Sequence, residues 1–149
     1  MKSQPRGVPV GRRLAVSRQY APTGFTFPSP YLSLLTAQVL PDVTPVFWLL
    51  ELEEGVANWA RMLEEQYPER VLVPFAKDRR TDDLFCFEGN DLTGNPAVIL
   101  IHSFADPGWE YRGAWSHFDS WYRGLLAFHR DWIRTGDAEL DPPKRKPGP

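Results

Sequence analysis

The sequence predicts an α+β domain in which an antiparallel β-sheet packs with helices on one face. Two segments with helical spacing of their apolar residues come first, three short apolar segments follow, and a long amphipathic segment comes last. Polar turns of a few residues separate the three middle segments, which favours antiparallel hairpins over helical crossovers. Segregation of helices and strands along a chain is typical of α+β domains.

The first helix is predicted to begin at Ser29, a residue type that caps helices, with Pro30 in the first helical position and Pro41 as the stop. Its apolar stripe recurs at three- and four-residue spacing and consists of Tyr31, Leu34, Leu35 and Val39. A second amphipathic helix is predicted over residues 53–66 and a third over residues 116–134, where a nearby glycine provides the C-terminal stop.

Three short segments rich in β-branched and aromatic residues are predicted as strands, namely residues 71–75, 84–88 and 97–104. Residues 46–50, between the first two helices, are predicted as a short buried strand or an extended segment. The polar turn 77–83 and the turn 88–95, which contains Gly and Asn, connect the last three strands. Residues 106–115 are predicted as a loop between the last strand and the final helix.

The chain is predicted to consist of one domain and two extensions. Residues 22–136 form the domain, a length that supports a single sizeable core. Residues 1–21 show no sustained apolar period and contain several Pro and Gly residues, so they are predicted as a flexible arm. Residues 137–149 are rich in Pro and Lys and are predicted as a disordered tail.

The composition argues against several classes of protein. The chain has 17 basic and 19 acidic residues, so general attraction to nucleic acid is not expected. Its apolar runs are too short for a bilayer and its N-terminus lacks the core of a secretory signal, which predicts a cytoplasmic protein without membrane contact. The single cysteine, Cys86, permits neither an internal disulfide nor a cysteine-only metal site. Since nucleotide-binding and serine-hydrolase motifs are also missing, no cofactor, metal or catalytic residue is predicted.

Three motifs follow one another in the middle of the chain. They read YPERVLVPFA at residues 67–76, TDDLFCFE at residues 81–88 and FADPGWE at residues 104–110. With the flanking segments 24–32 and 116–121, they resemble the SMI1/KNR4 (SUKH) superfamily over residues 24–134. The sequence departs from that pattern at Ser103, where members of the superfamily often carry aspartate after a histidine.

The resemblance implies an α+β fold and a protein-binding role without catalytic residues. Many bacterial members of the superfamily resemble immunity proteins that neutralise partner toxins, often nucleases, and fungal relatives are linked to cell-wall signalling. The expected partner is therefore a protein. A toxin is the leading hypothesis, and a regulatory or scaffold role is the alternative.

The candidate partner-binding residues lie in the predicted turns and in the loop. Acidic side chains there would complement a basic partner, and an aromatic ring with charged neighbours is typical of an interface hot spot. The candidates are Asp82, Asp83, Glu88, Trp109, Glu110 and Arg112. A competing interpretation of the loop is that Trp109 and Trp115 fold back to close the core.

A hypothesis from a different class is a small hydrolase that uses Asp83, Glu88 and His102 as acid and base groups. It requires these three side chains to converge in one cleft. A histidine at the end of an apolar strand is more often part of structural hydrogen bonding than a functional ligand. The hydrolase is therefore the secondary hypothesis.

Overall fold

Five strands in the described part of the chain form one antiparallel sheet. The computed structural model of the protein describes residues 7–143. Neighbouring strands in the sheet are also neighbours in sequence, and all four pairs are antiparallel. The strands are β1 (Val46–Trp48), β2 (Leu72–Asp78), β3 (Asp83–Glu88), β4 (Val98–His102) and β5 (Tyr111–Trp115).

Four α-helices within residues 7–143 accompany the sheet. They are α1 (Arg13–Gln19), α2 (Ser29–Leu35), α3 (Gly55–Gln66) and α4 (Phe118–Thr135). Short 3-10 turns at Val10–Arg12 and Leu49–Glu51 precede α1 and follow β1. None of the helices described has the length and hydropathy needed to cross a bilayer. The predicted α+β class with an antiparallel sheet is confirmed.

Aromatic rings dominate the core between the sheet and the helices α2 and α4. The rings of Phe75 on β2 and Phe87 on β3 stack with their centroids 4.3 Å apart. From α4, Trp121 meets Phe75 edge-to-face at 4.9 Å and Phe118 lies 5.9 Å from Phe87. Tyr31 of α2 lies 5.4 Å from Phe87. Such pairs contribute about 0.5–1.5 kcal/mol each beyond the burial of their area, so they join both helices to this face of the sheet.

Helix α3 covers the opposite face of the sheet. Successive strand residues point to alternate faces, and residues 84–87 are all buried, so both faces of β3 are covered. Phe85 points towards α4, where it lies 5.3 Å from Trp121. Lys77 pairs with the residue before Phe85 and points the other way, and its ammonium lies 5.5 Å from the ring centroid of Trp59 on α3. The helices thus occupy both faces of the sheet, whereas the sequence analysis places them on one.

The sequence analysis predicts a loop over residues 106–115, but residues 111–115 form β5. This strand reads YRGAW and lacks alternating apolar and polar residues. Its central residue is Gly113 at a φ of 146°, next to a shift in register between Leu100 and Ile101 of β4. Glycine weakens the local preference for a strand. Pairing with β4 therefore determines β5, which explains why the local pattern does not predict it.

Helix α2 ends at Leu35, earlier than predicted, and Val39 is 81% exposed instead of belonging to the apolar stripe. In a longer helix the carbonyl of Ala37 would bond to the N–H of residue 41, which is a proline and has none. The guanidinium of Arg13 donates to this carbonyl at 2.6 Å and to that of Leu35 at 3.3 Å. Arg13 therefore satisfies the carbonyls that the short helix leaves open.

From residue 7 onwards the N-terminal segment packs against the domain, which corrects the flexible arm predicted for residues 1–21. Arg13 and Ser17 of α1 are buried. Arg13 donates to four backbone carbonyls, and the hydroxyl of Ser17 lies 3.4 Å from that of Tyr31. Val8 belongs to the core, and Val16 and Tyr20 pack against it. The two most buried positions of α1, Arg13 and Ser17, are polar, so the segment lacks the apolar period by which a helix is recognised. Residues 1–6 lie outside the described residues.

The described part of the predicted tail, residues 137–143, also contacts the domain. Leu140 packs against the core, and the carbonyl of Ala138 accepts a hydrogen bond from Arg80 at 3.4 Å. These contacts correct the prediction of a disordered tail over residues 137–149 for its described part, residues 137–143. Residues 144–149, including the basic triplet, lie outside the described residues.

The substitution Arg13→Met tests whether the N-terminal segment belongs to the folded unit. It leaves the carbonyls of Leu35 and Ala37 without their donor, so we expect the free energy of unfolding to fall by about 2–3 kcal/mol. Urea denaturation followed by tryptophan fluorescence measures the change. Arg18→Met, at an exposed position of the same helix, is the control and should cost no more than about 0.5 kcal/mol. Equal stability of the two variants would contradict this role of Arg13.

Candidate functional site

Most of the candidate residues lie at one end of the sheet, where the β2–β3 turn (residues 79–82) meets the β4–β5 loop (residues 103–110). The register brings these segments together because Asp83 at the start of β3 pairs with His102 at the end of β4. The candidates at this end are Asp82, Asp83, Trp109, Glu110 and Arg112.

Hydrogen bonds join the β4–β5 loop to the β2–β3 turn. The carbonyl of Asp82 accepts the N–H of Ser103 at 3.0 Å and its hydroxyl at 2.6 Å. Next to them, Nδ1 of His102 lies 2.9 Å from Oδ1 of Asp83. Ser103 is buried, while the residue Asp82 is exposed. The serine that departs from the SUKH pattern thus holds the loop against the turn.

Two residues at the end of α3 hold the first part of the loop. Oε1 of Gln66 accepts the N–H of Phe104 at 2.6 Å. The hydroxyl of Tyr67 donates to the carbonyl of Ala105 at 2.7 Å. Burial raises the pKa of Tyr67 above its usual value. The hydroxyl therefore keeps its proton and remains a donor at neutral pH.

An ion pair holds the last part of the loop. Nε of Arg70 lies 2.6 Å from Oε2 of Glu110, and Oε1 of the same carboxylate accepts the N–H of Gly108 at 2.6 Å. Burial by itself raises the pKa of Glu110, but the hydrogen bonds from Arg70 and Gly108 outweigh burial and hold this pKa below its usual range. Glu110 is 5% exposed, so its carboxylate is engaged within the domain and not offered to a partner.

Two aromatic side chains of the loop extend into solvent. Phe104 is 55% exposed and Trp109 is 47% exposed. They are the only exposed aromatic side chains among residues 7–143. Trp115 is 3% exposed and its ring lies 5.9 Å from that of Phe85. Of the two tryptophans considered together in the sequence, Trp115 closes the core and Trp109 remains at the surface.

The two remaining candidates lie at opposite ends of the sheet. Nε of Arg112 donates to the carbonyl of Trp109 at 2.9 Å, which places the guanidinium beside the backbone of Trp109. Glu88 lies at the far end of β3, where its carboxylate accepts the N–H of Asn90 at 2.9 Å. The length of β3, about 17 Å at roughly 3.4 Å per residue, separates Glu88 from Asp83. Glu88 is therefore not part of the surface formed by the other candidates.

The three residues of the hydrolase hypothesis do not converge. Asp83 and His102 are in contact, but Glu88 lies at the other end of β3 and points to its other face. The cavity beside Asp83 has a volume of about 160 Å³, below the range of about 300–1,000 Å³ that is typical of small-molecule sites. Burial raises the pKa of the Cys86 thiol. Within residues 7–143, no three His, Cys, Asp or Glu side chains are arranged to hold a metal ion.

The residues that hold the loop are not apparent from the sequence. Gln66, Tyr67 and Arg70 bond to partners 38 to 40 positions away, a distance at which no local pattern operates. Phe104 is assigned by the sequence to the strand 97–104, but β4 ends at His102. The Ala-Asp-Pro-Gly run after Phe104 is the one local signal that a turn begins there.

Comparisons with known proteins do not assign the chain to a family. It matches no protein-family model, no curated protein sequence and no solved structure. The resemblance to the SUKH superfamily therefore stays a prediction from the sequence motifs. The geometry of the β4–β5 loop is the structural observation that bears on function.

The substitution Glu110→Gln tests the ion pair. Glutamine keeps an acceptor for Gly108 but removes the charge that pairs with Arg70, so the free energy of unfolding at neutral pH should fall by about 2 kcal/mol. Because the pKa of Glu110 is depressed in the folded protein, the contribution is complete above the carboxyl's ordinary pKa and is lost as the pH falls through the folded-state value. The difference between wild type and variant should therefore shrink on acidification, as thermal unfolding at a series of pH values measures.

The control for this experiment is Glu69→Gln, at an exposed position close to the same ion pair. It should change stability by no more than about 0.5 kcal/mol at any of these pH values. A stability difference for Glu110→Gln that is constant with pH would contradict the assignment of an ion pair.

Proposed function

We propose that the chain is a non-catalytic protein-binding domain, and specifically an immunity protein of the SMI1/KNR4 (SUKH) type that binds and neutralises a partner toxin in the cytoplasm. The order of the sequence motifs supports the family, and the β4–β5 loop supports the binding role. The proposed contact region is named the loop surface and consists of Asp82, Phe104, Asp106, Trp109 and Arg112.

The observation that carries this proposal is an exposed aromatic pair on a loop that is held along its length. Phe104 and Trp109 extend into solvent, although a folded chain gains free energy by burying such rings. Hydrogen bonds to Gln66, Tyr67 and the β2–β3 turn hold the first half of the loop. The ion pair at Glu110 holds the second half. The exposure is therefore a fixed feature of the fold and not the result of a loose loop.

A fixed loop lowers the cost of association. Immobilising a flexible side chain on binding costs about 0.5–1.5 kcal/mol, and a loop that is already ordered avoids much of this cost. Aromatic side chains and arginine supply most of the free energy at protein interfaces. The loop surface presents a phenylalanine, a tryptophan and an arginine on such a loop.

The loop surface has two acidic residues, Asp82 and Asp106, against one basic residue, Arg112, and this excess of acid favours a basic partner. Asp82 and Asp106 are exposed, and neither carboxylate has a salt bridge within residues 7–143. The nearby buried acids Asp78 and Glu110 are neutralised by arginines of the domain itself. A nuclease toxin suits this surface because proteins that bind phosphate backbones present Lys and Arg. Complementary charge would chiefly accelerate association and select the partner.

Purification of the tagged protein from its native host, with mass spectrometry of the bound proteins, tests the proposal. We expect one stoichiometric partner, encoded by a neighbouring gene, whose toxic activity is lost when the purified domain is added. Only housekeeping partners would replace the immunity role with the regulatory or scaffold role. The absence of any stoichiometric protein partner would contradict the proposed function.

The substitution Trp109→Ala tests the loop surface itself. Because the indole is half exposed, the fold should persist, while affinity for the purified partner should fall at least about 30-fold, as for other interface hot spots. Isothermal titration calorimetry measures the affinity, and circular dichroism checks the fold. Leu92→Ala, at an exposed apolar residue between β3 and β4 at the other end of the sheet, is the matched control and should bind as wild type.

A further inference from the structure

Phe104 adopts a backbone conformation that its side chain disfavours. Its φ of 69° is the only positive value at a non-glycine position within residues 7–143. In this left-handed region the Cβ approaches a backbone carbonyl, so glycine and asparagine are the residue types that adopt it readily. Burial does not compensate for the strain, since Phe104 is also 55% exposed. Strained residues of this kind occur preferentially at functional sites.

The surrounding hydrogen bonds hold Phe104 in place from both sides. The N–H of Phe104 donates to Gln66, and the residues before and after it are held by the carbonyl of Asp82 and by the hydroxyl of Tyr67. None of these bonds uses the side chain of residue 104, so none of them requires an aromatic ring there. The fold therefore imposes the conformation but does not explain the phenylalanine.

Packing of the ring accounts for only part of its area. Phe104 meets the ring of Trp59 on α3 edge-to-face at 6.2 Å. Trp59 in turn lies under the ammonium of Lys77, which is held by the carbonyls of Asp78 and Thr81 at 3.1 and 2.6 Å. The contact with Trp59 directs the phenyl ring towards the α3 side of the loop, and the rest of the ring is exposed to solvent.

We propose that Phe104 is the central apolar anchor of the loop surface and that the partner is a protein with an apolar socket surrounded by basic side chains. The proposal rests on the proposed function and names the residue and the partner chemistry that this function uses. The sequence analysis selects Trp109 and Glu110 in this region. The structure instead directs Glu110 inwards and offers Phe104 in a fixed position.

Charge complementarity argues for the basic rim of the partner. The carbonyl of Asp82 accepts a hydrogen bond from Ser103, the residue directly before Phe104, and Asp106 follows two residues after Phe104. Both acids are exposed, and within the loop surface they outnumber the one basic residue, Arg112. On the α3 side, the ammonium of Lys77 is directed to the carbonyls of Asp78 and Thr81 and to the ring of Trp59.

The first arm of the test needs no partner and compares the substitutions Phe104→Gly and Phe104→Asn with the wild type. Both residue types adopt the left-handed conformation without the strain of phenylalanine. If Phe104 serves binding, the midpoint of thermal unfolding should stay the same or rise in both variants. A fall of more than about 8 °C in both, which corresponds to a stability loss above roughly 2 kcal/mol for a domain of this size, would mean that Phe104 serves the fold and would overturn the proposal.

The second arm places a photo-crosslinker at position 104 in the native host by the substitution Phe104→p-benzoylphenylalanine. The same substitution at Leu92 is the control, because Leu92 is equally exposed, at 55%, at the other end of the sheet. We expect one basic protein to crosslink at position 104 and not at position 92. An acidic protein, a nucleic acid or a second copy of this chain at position 104, or no specific crosslink there, would overturn the proposal.

The third arm uses the purified crosslinked protein as the probe. Phe104→Gly should weaken its binding at least about 30-fold. The double variant Asp82→Asn with Asp106→Asn should chiefly slow association, with an effect that disappears at high salt. If Trp109→Ala abolishes binding while Phe104→Gly leaves it unchanged, the anchor assignment fails and the proposed function stands. If neither variant affects binding, the loop surface itself is wrong.

Discussion

The candidate site depends on the segment that ends α3, residues 66–70. Within five positions it supplies an amide acceptor, a buried phenol and a guanidinium, and each bonds to a different part of the β4–β5 loop. The loop forms one turn of its own around Pro107 and Gly108, in which the N–H of Trp109 donates to the carbonyl of Asp106 at 2.9 Å. The bonds from residues 66–70 hold this turn and the rest of the loop against the domain, and the aromatic rings are exposed in that arrangement.

The position of residues 66–70 beside the loop depends on how the helices are distributed over the two faces of the sheet. The cluster around Phe75 and Phe87 joins α2 and α4 to one face, and the other face is left for α3. On this face, the ring of Trp59 on α3 contacts both Lys77 on β2 and Phe104 in the loop after β4. The C-terminal residues of α3 then reach the loop. The core thus fixes the helix, and the helix fixes the loop surface.

The sequence predicts the elements that local patterns specify. The helix before Gln66, the strand around Phe85 and the final helix are recovered because their apolar residues recur with a clear period. The α1 segment and β5 are not recovered. The most buried positions of α1 are polar, with Arg13 bonded to distant backbone carbonyls, and β5 depends on its pairing with β4. In both cases the determining interaction lies outside the local sequence.

The same distinction applies to the candidate site. Asp82, Trp109 and Arg112 are candidates from the sequence because charged and aromatic residues in a turn-rich segment are typical of interfaces, and the structure leaves Asp82 and Trp109 exposed. Glu110 belongs to the same pattern, but its partner Arg70 is 40 positions away and turns the carboxylate inwards. Phe104 is not among the sequence candidates because the pattern assigns this apolar residue to the strand 97–104. Only the structure shows that the strand ends at His102 and that the ring of Phe104 is exposed. Residue type suggests the region, and long-range bonds decide which side chains it presents.

The central claim is that α3 holds the β4–β5 loop in one conformation before any partner binds. Amide hydrogen exchange of the free protein tests this most directly, with the substitution Tyr67→Phe as the comparison. The N–H groups of Phe104, Gly108 and Trp109 are bonded within the domain, so they should exchange slowly in the wild type. Removal of the Tyr67 hydroxyl should accelerate exchange in the loop while leaving β3 protected. Fast exchange of these three N–H groups in the wild type would mean that the loop is not held and would contradict the account.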